Sequence, residues 1–453
     1  MVTARARPAP KPAVIDRALG STETIYWLLD RLYCLNFVVY AELDGLLPRA
    51  RLDAALAIVQ DENPLLRARI VVDGGRAWFK PVAGRQAPLR AEVRAMRNWR
   101  GAIERELQRP FAPEEAPLAR FIWFAGTGGK AVAAMVFHHA IADGRSGSAV
   151  MLDVLRRATT DASPPARKPA NASSQSLDVI REKAPMLSAL QGVRFWLAKG
   201  KDALHFAQQL PGYDMKPAGD TRIRIIALTV PARTSARLVL QARAHGTTVH
   251  GALGAAQLLA INDQFERRAP RALALNSLAD LRGVLKGGLT ENDLGLYITT
   301  LCTVHTLNAV NGKPDFWGLA REVRDRLVGI ISAGDANLIN GVYPADPLLK
   351  PDDTVARLVQ RIVALAPPST MLTNIGKVNA PELGARVRIR SLAFAVSPPA
   401  QHPICVTAAS FAGRIHVNLL YDEHQRPAAR ARAIADSLIA HLERAATFTA
   451  DAA

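Results

Sequence analysis

The chain has 453 residues, more than one ordinary hydrophobic core accommodates, so two domains are expected. Its formal net charge is +17, but the excess cations are spread along the chain and no nucleic-acid-binding motif accompanies them, which argues against a nucleic-acid partner. Three cysteines at unrelated spacings exclude a disulfide framework, and no apolar stretch approaches the ~18 residues of a membrane-spanning helix, so a cytoplasmic protein is expected.

The predicted elements follow a basic tail over residues 1–20, which is broken by prolines, lacks the apolar segment of a signal peptide and is expected to be disordered. Residues 21–158 are predicted to form the first domain. Its strands are predicted at residues 25–43 (with an interruption), 65–72, 77–82, 118–124 and 131–137. Its helices are predicted at residues 52–60, 99–108 and 148–157.

A polar, proline-rich stretch over residues 159–176 is predicted to be a linker or surface crossover, and residues 177–453 to form the second domain. Helices are predicted there at residues 177–197, 235–245, 249–265, 316–331, 355–365 and 427–445. Strands are predicted at residues 222–230, 272–278, 296–304, 387–396, 404–411 and 414–421. Because strands and helices alternate without a strict βαβ repeat, the fold class is mixed α/β (α+β).

One loop between a predicted strand and a predicted helix concentrates the chemistry of the chain. His138 and His139 follow the apolar strand, and Asp143 and Gly144 complete the segment. Beyond them, residues 146–157 carry apolar side chains at helical spacing, and Ser146 is suited to cap that helix. A loop of this kind exposes side chains at a strand end and points backbone N–H groups at a bound ligand.

The pattern HHxxxDG resembles the signature of the CoA-dependent acyltransferase superfamily, which includes chloramphenicol acetyltransferase, polyketide-associated acyltransferases, alcohol acetyltransferase-like members and nonribosomal peptide condensation domains. Weaker features resemble this superfamily in the same order along the chain: NPLLRAR at 63–69, PF at 110–111, PLAR at 117–120, ADLR at 279–282, LGLY at 294–297 and TNIG at 373–376. The chain lacks the DFGWG motif of plant-type members, which indicates a bacterial branch. The resemblance implies two chloramphenicol-acetyltransferase-like sandwich domains with an interdomain active-site tunnel.

Acyl transfer from a thioester requires a base that takes the proton of the attacking hydroxyl or amine, and His139 is predicted to be that base. The acceptor is expected to attack the thioester directly, without a covalent acyl-enzyme. A Ser or Cys nucleophile is the alternative, but the sequence contains no G-x-S-x-G elbow. Cys34, Cys302 and Cys405 lack a local catalytic signature and are predicted to be small core residues.

The resemblance also implies roles for the other motif residues. Asp143 is expected to form a structural ion pair with Arg282, while Arg282 as one more solvated cation stays open as the alternative. Gly144 is expected to permit a positive φ and to tighten the turn or donate its N–H to the oxyanion. His138 is expected to pack against or orient the loop, and Asn374 is either a substrate-binding hydrogen-bond donor or a turn residue.

Two non-catalytic interpretations of the histidines stay open. One is a buried pair that is satisfied by backbone carbonyls. The other is metal binding, but the residues lie on a loop, and no H-E-x-x-H motif, Cys pair or further His cluster completes a ligand set. No metal and no permanently bound cofactor is therefore expected, and the acyl-CoA or phosphopantetheine thioester is a co-substrate.

The predicted function is transfer of an acyl group from acyl-CoA or an acyl carrier protein to a hydroxyl acceptor, with small-molecule or lipid alcohols and amines as the acceptor classes. A free-standing condensation enzyme acting on carrier-bound substrates and a catalytically silent carrier-docking module are the alternatives. The retained histidines favour an enzyme. The cationic surface suits the phosphates of CoA, an acidic carrier protein or peripheral contact with an anionic membrane.

Overall fold

The computed structural model of the chain describes residues 14–82, 87–159, 207–212, 221–265, 271–283, 288–307, 315–334, 368–384, 387–398 and 402–447. Most of the predicted linker and the predicted helices at 177–197 and 355–365 lie outside these residues. None of the helices within the described ranges combines the length and the apolar character that crossing a bilayer requires.

The first half contains a five-stranded and a three-stranded sheet with helices packed around them. Its elements are β1 (Arg17–Ala18), α1 (Ser21–Tyr33), β2 (Asn36–Asp44), α2 (Arg49–Glu62), a 3₁₀ helix (Pro64–Arg67), β3 (Ala68–Asp73), β4 (Arg76–Pro81), β5 (Ala91–Ala95), α3 (Trp99–Leu107), β6 (Ala119–Ala125), β7 (Lys130–His138) and α4 (Gly144–Thr159). The strand order of the small sheet is β1-β4-β3. In the larger sheet, β7 pairs antiparallel with both β2 and β6, so this central strand is buried on both faces and carries the histidine loop at its end.

The second half is built on a six-stranded sheet. Its elements are β8 (Ile223–Val230), α5 (Ala232–Ala244), α6 (Val249–Asn262), β9 (Arg271–Asp280), β10 (Ile298–Leu307), α7 (Phe316–Ser332), β11 (Thr370–Lys377), β12 (Arg388–Val396), β13 (Cys405–Phe411), β14 (Arg414–Asp422) and α8 (Ala428–Thr447). The sheet has the strand order β10-β9-β11-β13-β14-β8, and β12 is absent from it. This arrangement confirms the predicted mixed α/β class.

The strand β12 joins the two halves. It leaves the second half and pairs antiparallel with β2, so the larger sheet has the order β12-β2-β7-β6-β5. Buried polar side chains then tie β12 and its neighbour β2 to the facing sheet: the Asn418 amide donates to the Phe394 carbonyl of β12 at 2.7 Å, and the Tyr40 hydroxyl of β2 donates to Asn418 Oδ1 at 2.8 Å. Because both bonds are buried, a relative slip of the sheets would leave polar groups unsatisfied.

The structure corrects the predicted strand at residues 25–43, whose first part forms helix α1. The aromatic and β-branched side chains of this run favour a strand in isolation. In the fold, the Glu23 carboxylate accepts a hydrogen bond from the Gly20 N–H at 2.7 Å, which satisfies a free donor at the helix start. Cys34, in the left-handed conformation with φ of 53°, ends the helix. Strands β5 and β11 are further elements that the sequence pattern did not predict.

Candidate active site

A cleft of about 480 Å³, counting its open mouth, lies between the two halves and ends at the histidine loop. Side chains of the first half, of the second-half sheet and of β12 contribute to it. The lining residues are Phe37, His139, Asp143, Gly144, Arg145, Leu278, Asp280, Ile298, Thr373, Asn374, Ile375, Phe394 and Val396. The walls are therefore mainly apolar, and the polar groups gather around the motif, as is typical of small-molecule sites.

His139 lies in this cleft with its imidazole held on one side. Its Nδ1 is 3.0 Å from the Ala142 carbonyl oxygen, which only accepts hydrogen bonds, so Nδ1 of the neutral ring carries the proton. Nε2 therefore keeps its lone pair, and no hydrogen bond from another described residue occupies it. The ring edge packs against Tyr26 and Phe37, with centroids 4.6 and 4.9 Å away. The arrangement presents a neutral, oriented nitrogen base to the cleft.

Burial lowers the pKa of His139 from 6.5 to about 4. The low polarizability of the surroundings disfavours the charged imidazolium, whereas the hydrogen bond to Ala142 and the negative charge of Asp143 act in the opposite direction without reversing the shift. The ring is consequently neutral at pH 7 and has a lone pair ready to accept a proton.

His138 lies on the other side of the loop and is completely buried. Its Nδ1 accepts a hydrogen bond from the Ala140 N–H at 3.1 Å, and it does not line the cleft. Consecutive residues at the end of a strand point to opposite faces, so only one of the two histidines reaches the cleft.

Asp143 caps helix α4. Its Oδ1 accepts hydrogen bonds from the N–H groups of Arg145 and Ser146 at 3.1 and 3.0 Å, which are the second and third residues of the helix. The predicted cap at Ser146 is therefore wrong: this serine lies inside the first turn, and Asp143, three residues earlier, has the geometry that satisfies the free N–H groups. A negative charge here also favours the positive end of the helix dipole.

The second carboxylate oxygen of Asp143 faces the other half of the protein. Arg282 Nη2 lies 2.9 Å from Asp143 Oδ2, and both side chains are buried. The same oxygen accepts a hydrogen bond from the Tyr297 N–H at 3.0 Å, and the Asp143 N–H donates to the Gly295 carbonyl. One side chain thus links the histidine loop to the segment that bears the LGLY sequence.

Arg282 is surrounded by acceptors rather than water. Its Nη1 lies 3.0 Å from Asp280 Oδ1, and its Nε donates to the Thr290 carbonyl at 3.1 Å. Burial by itself lowers the pKa of Arg282, but the negative charges of Asp143 and Asp280 outweigh it and raise the pKa. The guanidinium is therefore a permanent, buried charge that two carboxylates neutralise.

Gly144 is needed for close packing and not for an unusual backbone conformation. It begins helix α4, and its φ is not positive, contrary to the prediction. A Cβ at this position would lie 2.9 Å from Ile375 Cγ2 and 3.4 Å from the Phe394 ring. The helix start thus approaches the second half too closely for any side chain. Within the described residues its N–H, next to the cleft, has no backbone acceptor.

Asn374 lies on β11 and lines the cleft. Its Oδ1 accepts a hydrogen bond from the Gly376 N–H at 2.9 Å, where the backbone has a φ of 76° and the strand register shifts. The side chain therefore stabilises an irregular backbone, as a turn asparagine does. Its amide nitrogen, a donor only, remains for other partners.

Arg145 is a site residue that the sequence did not single out. It follows the motif directly, and its Nε donates to the Ile375 carbonyl across the cleft at 3.0 Å, while Nη1 lies 3.4 Å from Asp280 Oδ2. In the sequence, only its position directly after Gly144 could have indicated a role in the site. The oxygen atoms that it contacts belong to strands that are distant along the chain. Asp143, Arg282, Asp280 and Arg145 thus form a row of alternating charges between the two halves.

Neither a reactive cysteine nor a metal site accompanies His139 in the described part of the cleft. Burial raises the pKa of the Cys34 thiol to about 12 and also raises that of Cys405, so neither is a thiolate at neutral pH. No cysteine lines the cleft. Within the described ranges, no group of three or more His, Cys, Asp or Glu side chains is arranged to hold a metal ion.

Comparison with known proteins matches this geometry to one superfamily. The family model described as phthiocerol/phthiodiolone dimycocerosyl transferase C-terminus matches residues 219–421. This family and the solved structures described below are members of the CoA-dependent acyltransferase superfamily, which the sequence resembles. The predicted resemblance is thereby confirmed, and the family match supports the prediction of an acyltransferase. No curated protein matches the sequence significantly.

Solved structures of the same architecture extend over nearly the whole chain. Polyketide synthase associated protein 5 from Mycobacterium tuberculosis has 14% identity and a TM-score of 0.68, with 95% of this chain and 99% of that chain covered. Trichothecene 15-O-acetyltransferase from Fusarium sporotrichioides has 12% identity and a TM-score of 0.70, with 97% and 100% covered. The first condensation domain of the CDA synthetase has 14% identity and a TM-score of 0.68, with 95% and 96% covered. At these identities the likeness establishes the fold.

Proposed function

We propose that the protein transfers an acyl group from a thioester to a hydroxyl acceptor, with His139 as the general base. The observation that carries this proposal is the unoccupied Nε2 of His139, whose ring is neutral, oriented by Ala142 and part of the lining of an apolar cleft. A buried structural pair would have both rings satisfied by the protein, whereas Nε2 of His139 has no such partner among the described residues.

In the proposed reaction the acceptor O–H gives its proton to His139 Nε2 while the oxygen attacks the thioester carbonyl carbon. The carbonyl electron pair moves onto oxygen, which gives a tetrahedral oxyanion. When this intermediate collapses, the C–S bond breaks, and the proton on Nε2 passes to the departing thiolate. The products are an ester and a free thiol, and His139 returns to its starting form.

Two donors beside the cleft are proposed to stabilise the oxyanion or orient the substrate. The Gly144 N–H lies at the start of α4, where the helix dipole favours negative charge. Asn374 lines the same cleft from strand β11. Backbone and amide donors that are fixed before the reaction stabilise a developing charge without reorganisation.

The donor and acceptor are proposed by class. The donor is an acyl-CoA, or a phosphopantetheine thioester on an acyl carrier protein, and the acceptor is an alcohol or an amine of a small molecule or lipid. A free-standing condensation enzyme for carrier-bound substrates is the second candidate, because the fold also matches a condensation domain. A silent docking module is disfavoured by the intact His139 environment.

Intact mass spectrometry of reactions with purified protein tests the proposal. Acyl-CoA and acyl-carrier thioesters of several chain lengths are incubated with a panel of alcohols and amines, and ester or amide products are identified by mass. Accumulation of an acylated acceptor without an acylated protein supports direct transfer. An acyl adduct on the protein itself would contradict it, and no product with any pair would favour the docking module.

The pH dependence of kcat/KM should report the low pKa of His139. The base works only when it is unprotonated, so a pKa of about 4 predicts that kcat/KM at pH 5 stays within about twofold of its value at pH 7. An ordinary imidazole of pKa ~6.5 would lose about 25-fold over this range. An acid limb with an apparent pKa between 6 and 7 would contradict the assignment.

The lowered pKa of His139 also makes the stability of the protein depend on pH. Because the folded pKa lies below the unfolded value near 6.5, the unfolded chain takes up the proton first and stability falls as the pH drops from 6.5 towards 4. His250 has a similarly lowered pKa of about 4. Burial also lowers the pKa of His416, so the pH dependence of unfolding combines all three histidines, and only the kinetic profile isolates His139.

The donor type should be visible in the salt dependence of kcat/KM. Recognition of an acidic carrier protein draws on a broad cationic face, so kcat/KM should fall steeply between about 50 and 500 mM salt. A CoA thioester is held by a few local contacts and should show a shallower fall. We favour CoA, because the basic residues are scattered along the chain. A preference of about 100-fold or more for the carrier-bound acyl group at low salt, lost at high salt, would reverse this choice.

A further inference from the structure

A buried carboxylate lies directly against the first histidine of the motif. Asp30, in the last turn of α1, places Oδ2 3.3 Å from His138 Nε2, and both side chains are largely excluded from solvent, with exposed fractions of 8% and 0%. The two atoms lack the direction of a hydrogen bond, and His138 Nε2 has no hydrogen-bond partner within the described part of the chain, so the carboxylate acts on the ring through its charge. Within the described part of the chain, the other oxygen, Oδ1, has no hydrogen-bond partner. His138 is therefore the side chain that this carboxylate faces.

The proton on His138 can be assigned from its other nitrogen. Nδ1 accepts a hydrogen bond from the Ala140 N–H at 3.1 Å, and a backbone N–H only donates. Nδ1 must therefore carry a lone pair, which leaves the ring proton on Nε2, next to the Asp30 carboxylate. A negative charge beside Nε2 favours this tautomer over the one with the proton on Nδ1.

The choice of tautomer affects the backbone around His139. If the proton of His138 moved to Nδ1, it would point at the Ala140 N–H, and that hydrogen bond would be lost. Ala140 immediately follows His139, and Ala142 holds the His139 ring through its carbonyl oxygen. Helix α1, which bears Asp30, also packs Tyr26 against the His139 ring with centroids 4.6 Å apart. One helix thus acts on both histidines.

We propose that Asp30 is a positioning residue for the acyl-transfer base. Its carboxylate holds His138 in the Nε2–H tautomer, His138 then holds the Ala140 N–H, and the loop keeps His139 in the orientation in which Nε2 faces the cleft. The catalytic part of this proposal rests on the proposed function of His139, whereas the tautomer of His138 does not depend on any activity.

Nitrogen NMR of the full-length protein with ¹⁵N-labelled histidine measures the tautomer directly. Signals of His138 are assigned by comparison with His138→Gln, and two-bond couplings distinguish a protonated Nε2 from a protonated Nδ1. We expect Nε2–H at pH 7 in the wild type and a measurable population of Nδ1–H in Asp30→Asn, because the negative charge beside Nε2 is lost while the size of the side chain is kept. The same Nε2–H tautomer in both proteins would overturn the proposal, as would a wild-type His138 protonated on Nδ1 or on both nitrogens.

Kinetics of matched variants test the effect on catalysis. Asp30→Asn, which has the same size but no charge, should lower kcat by about tenfold or more with KM within about twofold. Asp30→Glu, which keeps the charge, should lose less of kcat. Equal kcat in Asp30→Asn and wild type would overturn the proposal, as would an equal loss in both variants. If no transferase activity is found, the tautomers of the wild type and Asp30→Asn still decide whether Asp30 sets the state of His138.

Discussion

Replacing His139 with alanine is expected to lower kcat by about 10²- to 10⁴-fold, the usual cost of losing a general base. The physical reason is that no other described side chain in the cleft combines a neutral nitrogen with an accessible lone pair. The measurement is the steady-state rate with a saturating donor, after circular dichroism has shown that the variant is folded. A folded variant that keeps more than about half of the wild-type rate would show that His139 is not the base.

A matched control exists in the second half of the protein. His250 is a second histidine whose pKa burial lowers to about 4, and its Nε2 contacts the Ser277 hydroxyl at 3.1 Å, but it does not line the cleft. His250→Ala should therefore reduce stability while leaving kcat within about threefold of wild type. His138→Ala should have a milder effect on kcat than His139→Ala. The opposite order would mean that the other histidine is the base.

Removing either member of the Asp143–Arg282 pair is expected to destabilise the fold by about 3–5 kcal/mol, because an uncompensated charge is left in a buried position. The measurement is the free energy of unfolding of Asp143→Ala, Arg282→Ala and the double variant. Once one partner is gone, losing the other should cost little more, so the double variant should be less destabilised than the sum of the singles by at least about 1 kcal/mol. Activity should fall together with stability.

Asp143→Asn separates the ion pair from the helix cap. The amide oxygen still accepts hydrogen bonds from the N–H groups of Arg145 and Ser146, while the charge opposite Arg282 is lost. The asparagine variant should therefore retain part of the stability that alanine loses. Fully additive losses in the Asp143→Ala, Arg282→Ala double variant would show that the two side chains do not act as a pair.

The parts of the site that lie on one continuous segment were accessible from the sequence. His139, Asp143 and Gly144 lie in one loop between an apolar strand and an amphipathic helix, so their neighbourhood follows from local patterning. Arg282 came instead from resemblance to a family, since nothing in its own surroundings distinguishes it from other arginines. The positive φ predicted for Gly144 was wrong for the same reason: the need for a glycine arises from the approach of Ile375, more than two hundred residues away.

Elements with a long periodic pattern of apolar residues were predictable from the sequence, whereas elements with a short or ambiguous pattern were not. The strands of the second-half sheet other than β11, and its described helices, were located to within a few residues. Helix α1 was missed because its aromatic run suits a strand equally well until tertiary packing decides. The pairing of β12 with β2 has no local signature at all, because it depends on which of two sheets offers a free edge.

That pairing has a consequence for how the chain reaches its folded state during synthesis. Strand β2 emerges early from the ribosome, but its neighbour β12 is translated only after most of the chain. Until then the five-stranded sheet has an unsatisfied row of backbone groups along β2, which is a template for pairing with the wrong strand. Nascent chains that end before residue 396 are therefore expected to depend on chaperones or to aggregate, whereas chains that have released β12 close this edge.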